Sequence, residues 1–143
     1  MKAVSALGLL LMVAGLAGLF YIHALFSTSP VVIGLQAAAA ALMLWARLTF
    51  GRRSFHATAA PTEGGLVTSG PYRFLRHPIY SAVFLFSLAG VCAHLSLEAG
   101  GLLLAVFLGA FGRMFAEEKL LRARYPEYAA YAQRTSRMLP YVF

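Results

Sequence analysis

The chain has 143 residues, of which 60% are hydrophobic and only 12% are charged. A soluble domain carries about 25% charged residues, so this composition excludes an ordinary soluble domain and favours a protein that lies in a membrane. The length corresponds to a single domain over residues 1–143. The formal net charge of +7 suits contact with anionic lipid headgroups. The basic residues follow no nucleic-acid-binding pattern, so we expect membrane lipid and no nucleic acid as partners.

Apolar segments long enough to cross a membrane follow one another along the chain. No Asp, Glu, Lys or Arg lies between Lys2 and Arg47, and this interval can hold two spans of about 20 residues each. A cleaved signal peptide is the alternative for the first segment, but a signal core has only about 7–15 residues. The predicted spans are 4–26, 31–50, 78–97 and 99–116.

These spans define the predicted fold class and its orientation. We expect an all-α integral membrane bundle of four transmembrane helices, with a loop over 51–77 and a C-terminal segment over 117–143 that forms a short amphipathic helix. The loop near Ser27–Pro30 has no charge, and the turn near His94–Gly100 has only Glu98. Lys and Arg therefore fall on one side, which the positive-inside rule makes cytoplasmic. Both termini and the central loop are predicted to face the cytoplasm.

Small residues spaced four apart allow helix backbones to approach closely in lipid. Such pairs predict the helix contacts of the bundle, and they are Ala14 with Gly18, Gly34 with Ala38, and Gly101 with Ala105 and Gly109. The single Cys92 excludes an internal disulfide and a multi-cysteine metal site. We expect it to serve packing, and we expect no metal site.

The segment 70–80, GPYRFLRHPIY, collects cationic, aromatic and imidazole side chains at the start of the third span. Arg and Tyr are common anchors at membrane interfaces, and this interpretation explains Arg76, His77 and Tyr80 one at a time. It does not explain their concentration after a glycine turn. Polar side chains held at a membrane boundary usually bind or react, so this segment is the predicted site.

The fourth span extends into a charged helical end. Arg113 and Glu117 are four residues apart and therefore share a face of the helix. They could serve a site, or they could only form a solvated helix end. Glu118 and Arg122 form an ordinary i,i+4 pair, which we interpret as mainly structural.

Aromatic and basic residues near the C-terminus have a simpler interpretation. Tyr128 and Tyr131 suit interfacial anchors of a surface-lying helix that follows Pro126. Arg134 and Arg137 are expected to snorkel to headgroups, although either could close over a site. His23 and His94 lie far from segment 70–80, and we interpret both as structural.

Together these motifs resemble the isoprenylcysteine carboxyl methyltransferase family. The resemblance rests on 66–72 (LVTSGPY), on Arg76-His77-Pro78-x-Tyr80, on the pair Glu117-Glu118, and on the run from Tyr128-x-x-Tyr131 to Leu139-Pro140. The Arg-His-Pro-x-Tyr element followed by two glutamates is also found in membrane phospholipid N-methyltransferases. The motifs are therefore more specific for the superfamily than for the substrate.

The resemblance implies an integral-membrane methyltransferase that uses S-adenosylmethionine. Its acceptor would be lipophilic, above all the carboxylate of an isoprenoid or of a prenylcysteine-like substrate, and the alternative is a lipid amine such as phosphatidylethanolamine. With so few spans, we expect a minimal prokaryotic member in the cytoplasmic membrane. A small four-span transporter is a remote alternative, because such proteins need ionisable residues within a span and these spans offer only His23 and, near an end, His94.

The resemblance also implies roles for individual residues. Those that would contact the cofactor are Leu66 and Val67, largely through backbone, and Tyr72, His77, Pro78, Ile79, Tyr80 and Glu117. Arg113 would face the methyl acceptor and orient its carboxylate bidentately, and Arg76 would have a catalytic or structural role. Glu117 could pair with the amino group of the cofactor, and tyrosine faces can hold cationic methyl or sulfonium groups.

Overall fold

The computed structural model describes residues 1–51 and 65–140, and these residues are helical without strands. The prediction of an all-α fold is therefore confirmed. The helices are α1 (Lys2–Tyr21), α2 (Pro30–Phe50), α3 (Pro78–Ala93), α4 (Leu97–Arg124) and α5 (Tyr128–Arg134), with a 3₁₀ turn at Gly70–Arg73. Part of the predicted loop, residues 52–64, and residues 141–143 at the C-terminus lie outside the described residues.

Three of these helices, α1, α2 and α4, are long and apolar enough to cross a membrane. Helix α3 is also apolar but shorter. The chain is thus a multi-pass membrane protein by helix length and composition. That α3 also crosses, and that the termini face the cytoplasm, stay predictions.

The helix boundaries differ from the predicted spans at the connections. The first helix ends at Tyr21 rather than at 26, because His23 takes a left-handed φ of 57° and the Ala24 N–H donates to Leu19 O at 2.9 Å. The third helix ends at Ala93 rather than at 97. The fourth begins at Leu97, where the Ser96 hydroxyl accepts from the Ala99 N–H at 3.0 Å, an N-cap that stabilises the first turn.

Helix α4 extends beyond the predicted end of the last span. It continues to Arg124, so the C-terminal segment begins later than residue 117. This extension matches the helical pattern that runs through Arg113 and Glu117 toward Tyr125. Helix α5 then follows Pro126, where a short helix was expected.

Helices α1 and α4 pack so closely that their backbones nearly touch. A Cβ atom on Gly109 would lie 2.5 Å from Gly8 O and 2.6 Å from Met12 N, and one on Gly15 would lie 2.9 Å from Leu102 O. The contact therefore uses Gly109, as predicted, but it pairs this residue with Gly8. The prediction was wrong for Gly101, because a Cβ built there would meet no described atom within 4 Å outside the backbone of its own helix.

The prediction for Gly34 of α2 was also wrong, since no described atom lies within 4 Å of a Cβ built there. Helix α2 instead packs on α3 and is fixed by a polar side chain. Gln36 Nε2 donates to Leu25 O at 2.7 Å and to Phe86 O at 3.3 Å. A buried amide is costly without partners, so these bonds hold the turn after α1 and the middle of α3 beside α2.

Backbone hydrogen bonds attach the C-terminal segment to the segment that carries the predicted site. The Arg76 N–H donates to Ser136 O at 2.8 Å, and the His77 N–H donates to Arg137 O at 3.0 Å. The Ser136 N–H donates back to Phe74 O at 3.0 Å. These bonds place segment 70–80 between α4 and the residues that follow α5.

The close contact of α1 and α4 predicts different effects of alanine at two glycines of the same helix. Gly109→Ala should lower the free energy of unfolding by about 1–3 kcal/mol, because the new methyl group meets the α1 backbone. Gly101→Ala is the control, and it should be neutral or raise stability by up to about 1 kcal/mol, since alanine favours helix. Unfolding in detergent measures both variants, and equal effects at the two positions would contradict this packing.

Candidate functional site

Two consecutive glutamates of α4 form the centre of a buried polar cluster. Glu118 is the more buried, with 6% of its side chain exposed, and Arg76 Nε lies 2.9 Å from its Oε1. Arg137 Nε lies 3.4 Å from each oxygen of the same carboxylate. Arg76 Nη1 also donates to Ala132 O at 2.8 Å and to Thr135 O. Glu118 and Arg76 therefore join three parts of the chain, namely α4, segment 70–80 and the residues around α5.

This arrangement corrects the expectation that Glu118 pairs with Arg122. The Arg122 guanidinium instead lies over the ring of Tyr128, at 5.5 Å from the ring centroid. Arg137, expected to snorkel to headgroups, takes part in the cluster, and its guanidinium lies 5.5 Å from the centroid of Phe115. Glu118 thus pairs with arginines that are distant in sequence instead of with the arginine four residues further along its helix.

Glu117 has a different set of partners. Arg113 Nε lies 3.1 Å from Glu117 Oε1, so the two residues share a helix face as predicted. The Tyr80 hydroxyl donates to Glu117 Oε1 at 2.6 Å and accepts from Arg113 Nε at 2.6 Å. The Glu117 side chain is 23% exposed, so part of this carboxylate is accessible to a bound molecule.

His77 lies between the two carboxylates. Its Nδ1 is 3.7 Å from Glu117 Oε2, and its Nε2 is 3.4 Å from Glu118 Oε1. The ring stacks on Tyr80 with centroids 5.7 Å apart. We call this set the carboxylate cluster, and its members are Arg76, His77, Tyr80, Arg113, Glu117, Glu118 and Arg137.

A hollow with a largely aromatic and aliphatic wall adjoins the cluster. It has a volume of about 410 Å³ when the open space at its mouth is included. Arg76 belongs both to the wall and to the cluster. The wall consists of Phe50, Gly65, Leu66, Val67, Tyr72, Arg76, Leu121, Tyr125, Tyr128 and Tyr131.

The two tyrosines of α5 line this hollow, so the expectation that they anchor α5 at the interface was wrong. Tyr128 is 1% exposed and Tyr131 is 6% exposed. The Tyr131 hydroxyl donates to Tyr72 O at 2.7 Å. Among the described side chains, the buried Tyr128 hydroxyl is an oxygen without a hydrogen-bond partner. Such a group costs about 1–3 kcal/mol when it stays unsatisfied.

Burial also keeps these phenols protonated. Removal from water raises the pKa of Tyr131 to about 12, and it raises the pKa of Tyr72 and of Tyr128 as well. Burial disfavours the charged phenolate, so near neutral pH each of these groups is a hydroxyl that can donate one hydrogen bond.

The structure divides the predicted site residues between two adjoining places. Leu66, Val67 and Tyr72 line the hollow, whereas His77, Tyr80, Arg113 and Glu117 belong to the cluster. Pro78 and Ile79 form the first turn of α3.

Arg76 was predicted as a site residue but not as part of a wall. The wall residues that were not predicted for the site at all are Phe50, Gly65, Leu121, Tyr125, Tyr128 and Tyr131. Leu121 and Tyr125 follow Glu117 at four-residue steps, so helical spacing along α4 could have indicated them. Cys92 is exposed rather than packed. Across residues 1–51 and 65–140, no group of three or more His, Cys, Asp and Glu side chains is placed to hold a metal ion.

The cluster predicts that Glu118 is essential for stability. Glu118→Ala should lower the free energy of unfolding by about 3–5 kcal/mol, because it leaves the buried Arg76 guanidinium without its carboxylate. Glu98→Ala is the matched control, since Glu98 is an exposed glutamate at the other end of α4, and its loss should stay below about 1 kcal/mol. Thermal unfolding in detergent compares the two, and similar losses would contradict this role.

Part of the chain is similar to two curated proteins that are named for metal resistance. The chain is 35% identical over 80 residues to the cobalt-zinc-cadmium resistance protein CzcN of Cupriavidus metallidurans, a match that covers 52% of this chain and 35% of that protein. It is 34% identical over 80 residues to the nickel-cobalt-cadmium resistance protein NccN of Alcaligenes xylosoxydans xylosoxydans, with 52% and 36% covered. The chain thus spans about a third of the length of these curated relatives. No solved structure matches.

The sequence pattern of one protein family covers most of the described helices. It matches residues 32–123, from the first turn of α2 to the last turn of α4, and this range includes every member of the carboxylate cluster except Arg137. This is more than half of the 143 residues. The chain belongs to the isoprenylcysteine carboxyl methyltransferase (ICMT) family.

Proposed function

We propose that this protein is an integral-membrane methyltransferase that uses S-adenosylmethionine and methylates the carboxylate of a lipophilic acceptor. The acceptor class is an isoprenoid acid or a prenylcysteine-like compound. The observation that carries the proposal is the junction of the carboxylate cluster with the aromatic hollow through Arg76. Family membership supports the reaction class.

The residues present fit the chemistry of the cofactor. Its base is flat and aromatic, and tyrosine and phenylalanine side chains dominate the wall of the hollow. Its amino group is cationic, and Glu117 is the cluster carboxylate with a partly exposed side chain. When bound, S-adenosylmethionine supplies an electrophilic methyl group on a sulfonium. We assign the base to the hollow and the amino group to Glu117.

Arg113 is the residue proposed to hold the acceptor carboxylate. Tyr80 accepts a hydrogen bond from Arg113 Nε, and Glu117 lies 3.1 Å from the same atom. These two contacts fix the position of the guanidinium. A fixed guanidinium suits bidentate recognition of a planar carboxylate.

The surroundings of Arg113 also suit methylation of a carboxylate better than that of an amine. A carboxylate reacts without losing a proton, so the protein has only to align the reacting groups and to exclude water. An amine must lose a proton to a base. Here both cluster carboxylates already have guanidinium partners, Glu118 with Arg76 at 2.9 Å and Glu117 with Arg113 at 3.1 Å.

Binding of the demethylated product tests the role of Glu117. S-adenosylhomocysteine keeps the amino group, so Glu117→Gln should weaken its binding about tenfold to a hundredfold, the value of a hydrogen bond between charged groups. Glu98→Gln makes the same change at an exposed position of α4 and should leave the affinity unchanged. Calorimetry in detergent measures both variants, and equal affinities would contradict the assignment.

Transfer of a radiolabelled methyl group tests the acceptor. With N-acetyl-S-farnesylcysteine we expect a label that mild base releases, as from a methyl ester. A base-stable label on phosphatidylethanolamine vesicles would contradict a carboxylate acceptor and indicate the lipid amine instead. Arg113→Ala should reduce ester formation at least tenfold while it changes the affinity for S-adenosylhomocysteine by a smaller factor.

A further inference from the structure

The unsatisfied hydroxyl of Tyr128 is the feature of the hollow that the fold does not explain. Tyr128 is 1% exposed and belongs to the wall of the hollow, and no described side chain or backbone group bonds its hydroxyl. Buried polar groups in proteins nearly always have a partner. A buried hydroxyl that lacks one at a binding hollow suggests that the partner is part of the ligand.

Tyr131 provides an internal comparison. It lies in the same short helix, lines the same hollow, and its ring packs edge-on against Tyr128 with centroids 5.9 Å apart. Its hydroxyl is satisfied by Tyr72 O at 2.7 Å. The two tyrosines therefore share burial and surroundings but differ in whether the fold uses their hydroxyls.

The wall of the hollow limits what kind of atom can meet Tyr128. Leu66, Val67 and Leu121 are aliphatic, and Phe50 with the tyrosines offers ring faces. A flat heteroaromatic base can bury its two faces against such a wall and present polar atoms only along its edge. A protonated phenol donates one hydrogen bond, and the ring nitrogens of a purine are acceptors on that edge.

We infer that the Tyr128 hydroxyl donates a hydrogen bond to a ring nitrogen of the purine base bound in the hollow, and that it selects for a base with that nitrogen. This inference rests on the proposed use of S-adenosylmethionine. Tyr128 is thus a specificity-determining residue rather than a structural one. An unsatisfied donor discriminates strongly, because a base without the acceptor leaves the hydroxyl as unpaired as before.

Phenylalanine substitution at the two tyrosines separates ligand binding from folding. Tyr128→Phe removes a hydroxyl that the fold does not use, so the melting temperature without ligand should be unchanged or higher, while the affinity for S-adenosylhomocysteine falls about tenfold. Tyr131→Phe removes the bond to Tyr72 O, so it should lower the melting temperature. Calorimetry and thermal unfolding in detergent give both readings on the full chain.

Analogues of S-adenosylhomocysteine in which one ring nitrogen is replaced by C–H identify the bond itself. For the unchanged protein, one of these deaza analogues should bind about tenfold more weakly than the parent compound. For Tyr128→Phe, that analogue and the parent should bind equally well. Glu98→Gln, at an exposed position outside the hollow, should keep the discrimination of the unchanged protein.

Two outcomes overturn the inference and can be told apart. If S-adenosylhomocysteine binds the unchanged protein and Tyr128→Phe keeps the same affinity and the same ranking of the deaza analogues, the role of Tyr128 is wrong and the proposed function stands. If the unchanged protein does not bind S-adenosylhomocysteine, the proposed function fails and this inference fails with it.

Discussion

The ion pair between Arg76 and Glu118 is the interaction on which the arrangement of the site depends. It joins α4 to segment 70–80, and a second nitrogen of Arg76 donates to the backbone at the end of α5, at Ala132 and Thr135. Burying two charges carries a large desolvation cost, which only good geometry and further hydrogen bonds offset. Arg76 meets that condition through carbonyl acceptors, and Glu118 meets it through Arg137. The pair holds together three segments that are far apart in sequence.

Helical geometry gives the two glutamates separate tasks. Consecutive residues of a helix point about 100° apart, so Glu118 faces the buried arginine while Glu117 faces Arg113 and Tyr80. The Glu118 carboxylate is buried in its ion pair, whereas the Glu117 carboxylate keeps part of its surface exposed. A Glu-Glu pair at the end of an apolar helix can therefore combine a buried ion pair with a carboxylate that stays partly accessible.

The sequence predicted structural features correctly where they arise from interactions between residues close along the chain. The apolar runs predicted the helices, and four-residue spacing predicted that Arg113 and Glu117 share a face. The prediction from the sequence failed where the partner is distant along the chain. Glu118 pairs with Arg76, 42 residues away, rather than with Arg122. Tyr128 was misassigned because two tyrosines in a short helix suit an interface and a buried wall equally well. The backbone hydrogen bonds that attach Ser136 and Arg137 to segment 70–80 involve no side chains, so they leave no pattern in the sequence.

The hollow is built from segments that lie far apart in the sequence. Its wall comes from the end of α2, from residues 65–72, from the end of α4 and from α5. A ligand that fills the hollow would contact all of these segments, and binding to the folded form alone stabilises it. Arg76 belongs to both the wall and the ion pair. The contacts that complete the fold at this end of the bundle are thus the same contacts that shape the hollow.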